Sequence, residues 1–221
     1  MYQPRRTPVN APGGLSPVKR MWEAEVLELL RGGLVIYPTE TLYALGCLAT
    51  LHPAVERVHA AKGRPADKPL PLIIADWDMA GRFLRLDNPG LTLARKFWPG
   101  PLSIVTQVDS SISPLARDQA GRSAVRMTPH VIAARLCQEA GAPLVSSSAN
   151  RSGHPPVSRP GDLDPELVRQ SGALVLEATP WPEGGPPSTL VQMLGANAVQ
   201  VLRAGAISTQ EIVSSGFEVI F

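Results

Sequence analysis

The chain has 221 residues, which is long enough for one domain with a substantial core. It is 44% hydrophobic and 18% charged, and it has no apolar run near the ~20 residues that span a bilayer, so membrane insertion is not expected. The net charge of +2 is unevenly distributed, because residues 1–20 carry +4, residues 55–136 carry +5 and residues 137–221 carry −4. A basic middle third can attract a nucleotide or a nucleic acid, although a solvated basic face gives the same count.

The N-terminal segment is basic and rich in proline and glycine. Residues 1–16 are therefore predicted to form a flexible arm, and residues 17–221 to form a single domain. The segment lacks an apolar block followed by a small-residue cleavage site, so we expect no secretion signal. Cys47 and Cys137 are the only cysteines, too few for a disulfide framework. A reducing, cytoplasmic location is expected.

Helical and strand-like patterns alternate along the chain. An apolar stripe predicts a first helix over residues 17–31, ended by Gly32 and Gly33. Further helices are predicted at residues 53–61, 89–97, 131–140 and 164–170. Short apolar runs predict strands at residues 34–37, 71–75, 102–108, 123–127, 143–147, 173–176, 189–193 and 199–202. This alternation predicts an α/β fold, a single domain with a twisted mixed sheet flanked by helices.

Common nucleotide-binding and hydrolase motifs are absent from the sequence. There is no Gly-rich loop followed by Lys-Ser/Thr, no GxGxxG, no HExxH and no GxSxG. The four histidines are scattered, so neither a histidine metal site nor a Ser-His-Asp triad is predicted. Polar clusters instead follow the predicted strands. Because strand ends meet at one crevice in open α/β sheets, these clusters are predicted to line one ligand site.

The first three clusters combine hydroxyls and cations. YPTETLYALG (37–46) brings hydroxyls to a strand end, where a capped turn is the alternative interpretation. AKGRPADKPL (61–70) holds two lysines and one arginine, which suits a phosphate clamp or an exposed basic turn. GRSAVRMTPH (121–130) places Arg126 at a strand end, where it needs an anionic ligand or an internal carboxylate.

The other clusters lie in the second half of the chain. PLVSSSANRSG (143–153) offers serine hydroxyls, an amide and backbone donors, which suits phosphate and ribose oxygens without a Walker loop. In STLVQML, Ser188 opens a strand, and in VLRAGAIS, Arg203 closes another. All of these segments are predicted to meet at the same crevice.

Taken together, the motifs carry a family resemblance. In order and spacing, YPTETLYALG, AKGRPADKPL, FWPGPLSIV, VRMTP, SSSANRSG, STLV and VLRAGAIS resemble the YrdC/TsaC-like threonylcarbamoyl-AMP synthase family over about residues 20–206. The resemblance implies a YrdC-like fold and a nucleotidyltransferase that makes threonylcarbamoyl-AMP and pyrophosphate from L-threonine, bicarbonate and ATP. It also implies Mg²⁺ carried on the ATP phosphates, and partner proteins that transfer the threonylcarbamoyl group to tRNA.

The resemblance implies roles for individual residues. Threonine and bicarbonate would contact Thr39, Arg126, Ser146 and Ser188. ATP would contact a mainly cationic set: Lys62, Arg64, Lys68, Ser148, Asn150 and Arg203. No protein nucleophile and no dedicated metal site are implied, because an adenylating site has chiefly to align two anions and neutralise developing charge.

Some positions depart from the family pattern. Ala44, Ser103 and Gln192 stand where relatives commonly have glycine, threonine and aspartate. Two other functions therefore stay open. One is a protein of the YciO-like sister branch that binds tRNA or double-stranded RNA through the basic middle third, although aromatic residues are not interleaved there. The other is a related carbamoyl-adenylating enzyme with another acceptor.

Overall fold

The structure is a computed structural model that describes residues 23–65 and 67–220. The predicted arm, residues 1–16, and the start of the first predicted helix lie outside the described residues. Seven α-helices occur in the described part: α1 (Glu23–Leu30), α2 (His52–Lys62), α3 (Trp77–Phe83), α4 (Asn88–Phe97), α5 (Val131–Ala140), α6 (Pro165–Ser171) and α7 (Thr209–Ser214). Across those same residues, no helix has the length and apolar character needed to cross a membrane.

The strands form two sheets. They are β1 (Val35–Pro38), β2 (Tyr43–Gly46), β3 (Leu72–Ile74), β4 (Leu84–Arg85), β5 (Leu102–Val108), β6 (Arg122–Met127), β7 (Leu144–Val145), β8 (Ser147–Ser148), β9 (Leu174–Val175), β10 (Thr189–Met193), β11 (Ala198–Arg203) and β12 (Glu218–Ile220). The small sheet has the order β8-β2-β1-β9, and the large sheet has the order β12-β11-β10-β5-β6-β3-β7 with β4 added beside β5. Both sheets contain parallel and antiparallel pairs.

The predicted mixed α/β class is confirmed, but the single predicted sheet is two sheets. The difference arises at residues 143–147, which were predicted as one strand. In the structure this segment contributes to two strands, β7 and β8. β7 pairs with β3 in the large sheet and β8 pairs with β2 in the small sheet, so the chain passes from one sheet to the other at Ser146. The sequence patterns also do not predict β2, β4, β12, α3 or α7, which are short elements fixed by their neighbours.

Close packing joins the two sheets behind this crossing. Tyr37, fully buried on β1, donates its hydroxyl proton to the carbonyl oxygen of Val145 over 2.7 Å. A Cβ on Gly46 would lie 1.9 Å from that same oxygen, so only glycine allows β2 to approach β7 this closely. Cys47 and Cys137 are buried free thiols, and burial raises the pKa of each to about 12.

The large sheet presents opposite faces to the core and to a cleft. Along β5, Ile104 is buried in the core, whereas Ser103 and Val105 line the cleft. The neighbouring strand β6 alternates in the same way, with Val125 in the core and Arg126 in the cleft wall. Successive residues of a strand point to opposite faces, so the period of two sets which side chains a ligand can reach.

Candidate active site

A cleft of about 450 Å³ lies between the two sheets. Its walls are the turn between β1 and β2, the loop that carries Arg64 and Lys68, the crossing segment 146–148, and residues of β5, β6, β10 and β11. Eight of the ten predicted site residues line it: Thr39, Arg64, Lys68, Arg126, Ser146, Ser148, Ser188 and Arg203. Lys62 and Asn150 are not part of its wall. The strand-end clusters therefore do meet at one place.

Arg126 lies at the inner end of the cleft and is paired. Its Nε donates to Glu40 Oε1 over 2.7 Å, and its Nη2 donates to Ser146 Oγ over 3.4 Å. The side chains of Arg126 and Glu40 are only 5% and 10% exposed. The internal carboxylate that the sequence left open as an alternative is thus Glu40, yet the guanidinium still forms part of the cleft wall.

The turn that follows β1 is closed by Thr39. Its hydroxyl donates to the carbonyl oxygen of Leu42 over 2.7 Å, and its backbone N–H donates to the same oxygen over 3.1 Å. The capped turn considered for this segment is therefore present, and Thr39 lines the cleft at the same time. Thr41, which is 7% exposed, adds a second hydroxyl to the same wall.

Lys62 and Asn150 form a brace behind the cleft. The Lys62 ammonium, at the last residue of α2, donates to the carbonyl oxygens of Ser148 and Asn150 and, over 3.5 Å, to Asn150 Oδ1. The amide nitrogen of Asn150 donates to the carbonyl oxygens of Arg151 and His154 over 3.0 and 2.6 Å. Both residues shape the loop that carries Ser148, whose side chain does line the cleft. Burial, with the nearby charge of Arg64, lowers the pKa of Lys62 to about 8.

Arg64 and Lys68 supply cations from the loop after α2. The Nε and Nη2 atoms of Arg64 each donate over 3.0 Å, to the carbonyl oxygens of Lys68 and Pro69, so the guanidinium holds its own loop in place. Burial lowers the pKa of Arg64. Neither cation has a carboxylate partner among the described residues. A half-buried guanidinium without a counter-charge favours an anionic ligand.

Arg203, the last residue of β11, adds another cation to the cleft wall. Its Nη2 donates to the carbonyl oxygen of Ser188 over 2.7 Å and to Ser188 Oγ over 3.1 Å. Ser188 Oγ also shares a 3.0 Å hydrogen bond with Ser103 Oγ. Burial, then the charges of Arg126 and Arg64, lower the pKa of Arg203. The charges of Arg126 and Arg64 thus act on Arg203, and all three guanidinium groups line the same cleft.

Sequence reasoning missed several residues of the cleft. Arg122 lines it and is paired with Asp118, whose carboxylate accepts from the Arg122 Nε over 2.9 Å. Gln192 and Ser103, singled out only as departures from a family pattern, also line it. The signal for Arg122 was present, because it stands four residues before Arg126 and an even spacing on a strand gives the same face.

Metal ligands are sparse in this region. Among the described residues no group of three or more His, Cys, Asp or Glu side chains could hold a metal ion. The cleft wall does contain the carboxylates of Asp67 and Asp118, and Asp118 forms a salt bridge with Arg122. The donor set therefore fits a metal ion that arrives with its own oxygen ligands better than one held by a protein cage.

Sequence comparison identifies relatives along most of the chain. A family model named Sua5_yciO_yrdC, with the description telomere recombination, matches residues 28–205. A threonylcarbamoyl-AMP synthase of Neisseria meningitidis is 38% identical over 159 residues, covering 71% of this chain and 79% of that protein. The threonylcarbamoyl-AMP synthase of Xanthomonas campestris pv. campestris is 36% identical over 149 residues, covering 66% of this chain and 80% of that protein.

Solved structures with a similar fold are also found. The crystal structure of P. abyssi Sua5 complexed with L-threonine matches with a TM-score of 0.78 and 28% identity, covering 89% of this chain and 58% of that one. This chain thus spans little more than half of that Sua5 protein. E. coli YciO has the same fold, with a TM-score of 0.77, 21% identity and 88% of this chain covered. By its sequence and its fold, the chain belongs to the Sua5/YciO/YrdC family.

Proposed function

We propose that this protein is an L-threonylcarbamoyladenylate synthase, a nucleotidyltransferase that joins the carbamate of L-threonine to the AMP portion of ATP. Bicarbonate and the threonine amine form the carbamate with loss of water, a carbamate oxygen bonds to the α-phosphorus of ATP, and pyrophosphate leaves. The product supplies the threonylcarbamoyl group for tRNA modification, through partner proteins that would act in the cytoplasm. The domain predicted over residues 17–221 would carry this activity.

One observation carries the proposal, which is the convergence of arginines and serine hydroxyls in a single cleft. Arg64, Arg126 and Arg203 line it, as does Arg122 with its partner Asp118, together with serines from four separate segments. Two anions, a carboxylated amino acid and a triphosphate, need this excess of positive charge to approach one another. The names of the bacterial relatives, and the threonine bound to P. abyssi Sua5, support the same choice of substrates.

The two proposed substrate positions adjoin, because Ser188 on the threonine side accepts a hydrogen bond from Arg203 on the ATP side. Threonine is proposed to lie at the inner end, where Thr39, Arg126, Ser146 and Ser188 offer hydroxyls and a guanidinium. ATP is proposed to lie along Arg64, Lys68, Ser148 and Arg203. Lys62 and Asn150 would serve ATP indirectly, because they hold the loop that presents Ser148. Alignment of the two anions lowers the barrier without a protein nucleophile.

Mg²⁺ is proposed as the cofactor. When bound, it neutralises phosphate charge in the nucleotide and in the leaving pyrophosphate. The phosphate oxygens and water would supply its ligands, since the described residues contain no cluster of three metal-binding side chains. The exposed carboxylate of Asp67, beside Arg64 and Lys68, is the protein group best placed to contact its water shell.

Pyrophosphate release tests the proposal directly. We expect release from ATP to require both L-threonine and bicarbonate, and to fall to background when either is omitted. L-Serine should replace threonine with a loss of about 10- to 200-fold in kcat/KM, because one methyl group in a small apolar niche contributes only about 1–3 kcal/mol. A continuous coupled assay for pyrophosphate measures these rates. Release that continues without bicarbonate would exclude the carbamate mechanism.

An RNA-binding function is the second candidate, and surface charge favours it. Arg82, Arg95 and Lys96, on α3 and α4, are exposed and take part in no salt bridge among the described residues, and Arg85 nearby pairs with Asp109. These cations lie outside the cleft wall. A protein of this type would bind tRNA or double-stranded RNA through phosphate contacts without any reaction in the cleft.

Two variants separate the functions. Neutralising Arg82, Arg85, Arg95 and Lys96 together is expected to leave pyrophosphate release within about twofold, because these residues lie outside the cleft. It should weaken any salt-dependent tRNA binding, because counterion release dominates such binding. Ser148→Ala should do the reverse, since it removes a short-range hydroxyl and no charge. Loss of synthesis in the folded quadruple variant would mean that the active site lies on the other face.

A further inference from the structure

We propose that Glu40 is a positioning residue that aims Arg126 at the carboxylate of the amino-acid substrate. The inference rests on the proposed function, and it adds a role for a residue that the cleft wall itself does not contain. Glu40 stands in the turn between β1 and β2, on the small sheet, whereas Arg126 belongs to β6 of the large sheet. Their contact spans the inner end of the cleft and fixes one sheet relative to the other.

Both carboxylate oxygens of Glu40 are committed. Oε1 accepts from Arg126 Nε over 2.7 Å, and Oε2 accepts from the hydroxyl of Thr128 over 2.8 Å. Thr128 is 2% exposed and follows β6 directly, so the second contact prevents the carboxylate from rotating away from Arg126. These two hydrogen bonds hold the buried carboxylate in one orientation, and its Oε1 in turn fixes the direction of the Arg126 Nε–H.

The orientation leaves a particular edge of Arg126 for a ligand. A guanidinium has five N–H donors in a fixed planar fork. The Nε donor is taken by Glu40, and one Nη2 donor is taken by Ser146 Oγ. Three donors remain, two on Nη1 and one on Nη2. In the proposed role one donor of each nitrogen faces the ligand, and such a pair matches the two oxygens of a carboxylate.

The turn that carries Glu40 is itself held from the other side. The backbone N–H of Glu183 donates to the Glu40 carbonyl oxygen over 3.2 Å, and the N–H of Gly184 donates to the Thr41 carbonyl oxygen over 2.9 Å. The segment that makes these contacts continues directly into Ser188 in the cleft wall. Movement of Glu40 would therefore disturb both Arg126 and the hydroxyls opposite it.

Charge supports the same role. Burial alone would raise the pKa of Glu40, but the charge of Arg126 and the hydrogen bonds that Glu40 accepts lower it overall. Glu40 is therefore ionised at neutral pH, and one positive charge at the inner end is already balanced. A second anion there gains little from net charge, so its affinity depends on how well its oxygens meet the N–H donors that Arg126 has left.

Ligand binding to Glu40 variants tests the inference without relying on turnover. We would measure by calorimetry the affinity of the full chain for L-threonine and for L-threoninamide, which lacks the carboxylate. Wild type should bind threonine at least tenfold more tightly than the amide. In Glu40→Ala this preference should largely disappear, through a loss of roughly tenfold or more for threonine alone. Glu40→Gln, which keeps an oxygen for Arg126 and an amide for Thr128, should bind threonine within about threefold of wild type.

A control variant and the possible outcomes distinguish a failure of the proposed function from a failure of the positioning role alone. Glu139→Ala, which breaks the surface pair of Glu139 with Arg135 on α5, should change neither affinity. If wild type binds no threonine, the proposed function fails. If wild type prefers threonine and Glu40→Ala keeps that preference, or loses both ligands equally, only the positioning role fails. Should Glu40→Ala not fold, Glu40→Asp retains the charge but cannot reach Arg126 equally well, and an unchanged threonine preference in that variant would overturn the role.

Discussion

Arg64→Ala is expected to lower kcat/KM for ATP by roughly 30- to 1,000-fold, which corresponds to a loss of about 2–4 kcal/mol in transition-state stabilisation. The guanidinium lines the cleft, has no carboxylate partner among the described residues, and keeps free N–H donors after bracing the carbonyl oxygens of Lys68 and Pro69. Its removal takes away a charge-assisted contact and also loosens the loop that holds Lys68. Steady-state kinetics with pyrophosphate detection measures the effect.

Two further variants interpret that loss. Arg64→Lys keeps the charge but cannot donate in a planar fork to two carbonyl oxygens and a phosphate, so recovery should be partial. Arg57→Ala is the matched control, because Arg57 lies on the same helix α2 and, within residues 23–65 and 67–220, donates only to the Gly32 carbonyl oxygen. It should retain activity within about twofold. A fully active Arg64→Ala enzyme would show that the phosphates bind elsewhere.

Many residues that line the cleft could be predicted from the sequence, because polar and cationic side chains follow the predicted strands. Hydroxyls and cations that follow short apolar runs have no reason to be buried in a core, and a sheet brings its strand ends together. Ser188 and Arg203 illustrate the argument, since they lie fifteen residues apart in sequence and their side chains meet at 3.1 Å. The local patterns were sufficient because each residue needed only the correct strand and the correct face.

Contacts between distant segments were not readable in the same way. The partner of Arg126 is Glu40, 86 residues earlier, and no spacing rule connects them. A usable signal did exist, because a buried cation at a strand end requires an anion and Glu40 is the carboxylate of another strand-end cluster. Choosing between that pairing and a substrate anion required coordinates. Arg126 pairs with Glu40 and also lines the cleft, and we propose that it serves both.

The family resemblance implies that Lys62 contacts ATP, but Lys62 does not line the cleft. Its surroundings explain why the local sequence does not predict the position of its side chain. Helix α2 ends at Gly63, which has a left-handed φ of 56°, and Lys62 is the last helical residue before that turn. Its side chain passes into the protein, to 7% exposure, rather than into the cleft. Only the position of the loop after β8, in the other half of the chain, determines where the ammonium ends.

The buried ammonium of Lys62 should make ATP affinity fall with rising pH while the free energy of unfolding rises. Burial first, and the charge of Arg64 second, lower the pKa of Lys62 from 10.5 to about 8. Above pH 8 the neutral amine has two N–H donors for three acceptors, namely the carbonyl oxygens of Ser148 and Asn150 and Asn150 Oδ1. The loop that presents Ser148 then loosens and the positive charge disappears. We expect ATP affinity to fall by roughly three- to tenfold between pH 7 and pH 9.

Stability should move the other way over the same interval. Between pH 8 and 10.5 the unfolded chain binds more protons at this lysine than the folded chain does, so its contribution to the free energy of unfolding rises with pH, by about 1 kcal/mol from pH 7 to pH 9. Urea unfolding of wild type minus that of Lys62→Met isolates the term, because other titrating groups cancel. Lys62→Met should bind ATP weakly and without pH dependence, whereas Lys96→Met, which changes an exposed lysine on α4, should follow wild type in both measurements. Equal pH dependences in wild type and Lys62→Met would show that the ammonium does not control the loop, and the brace behind the cleft would then be a passive contact.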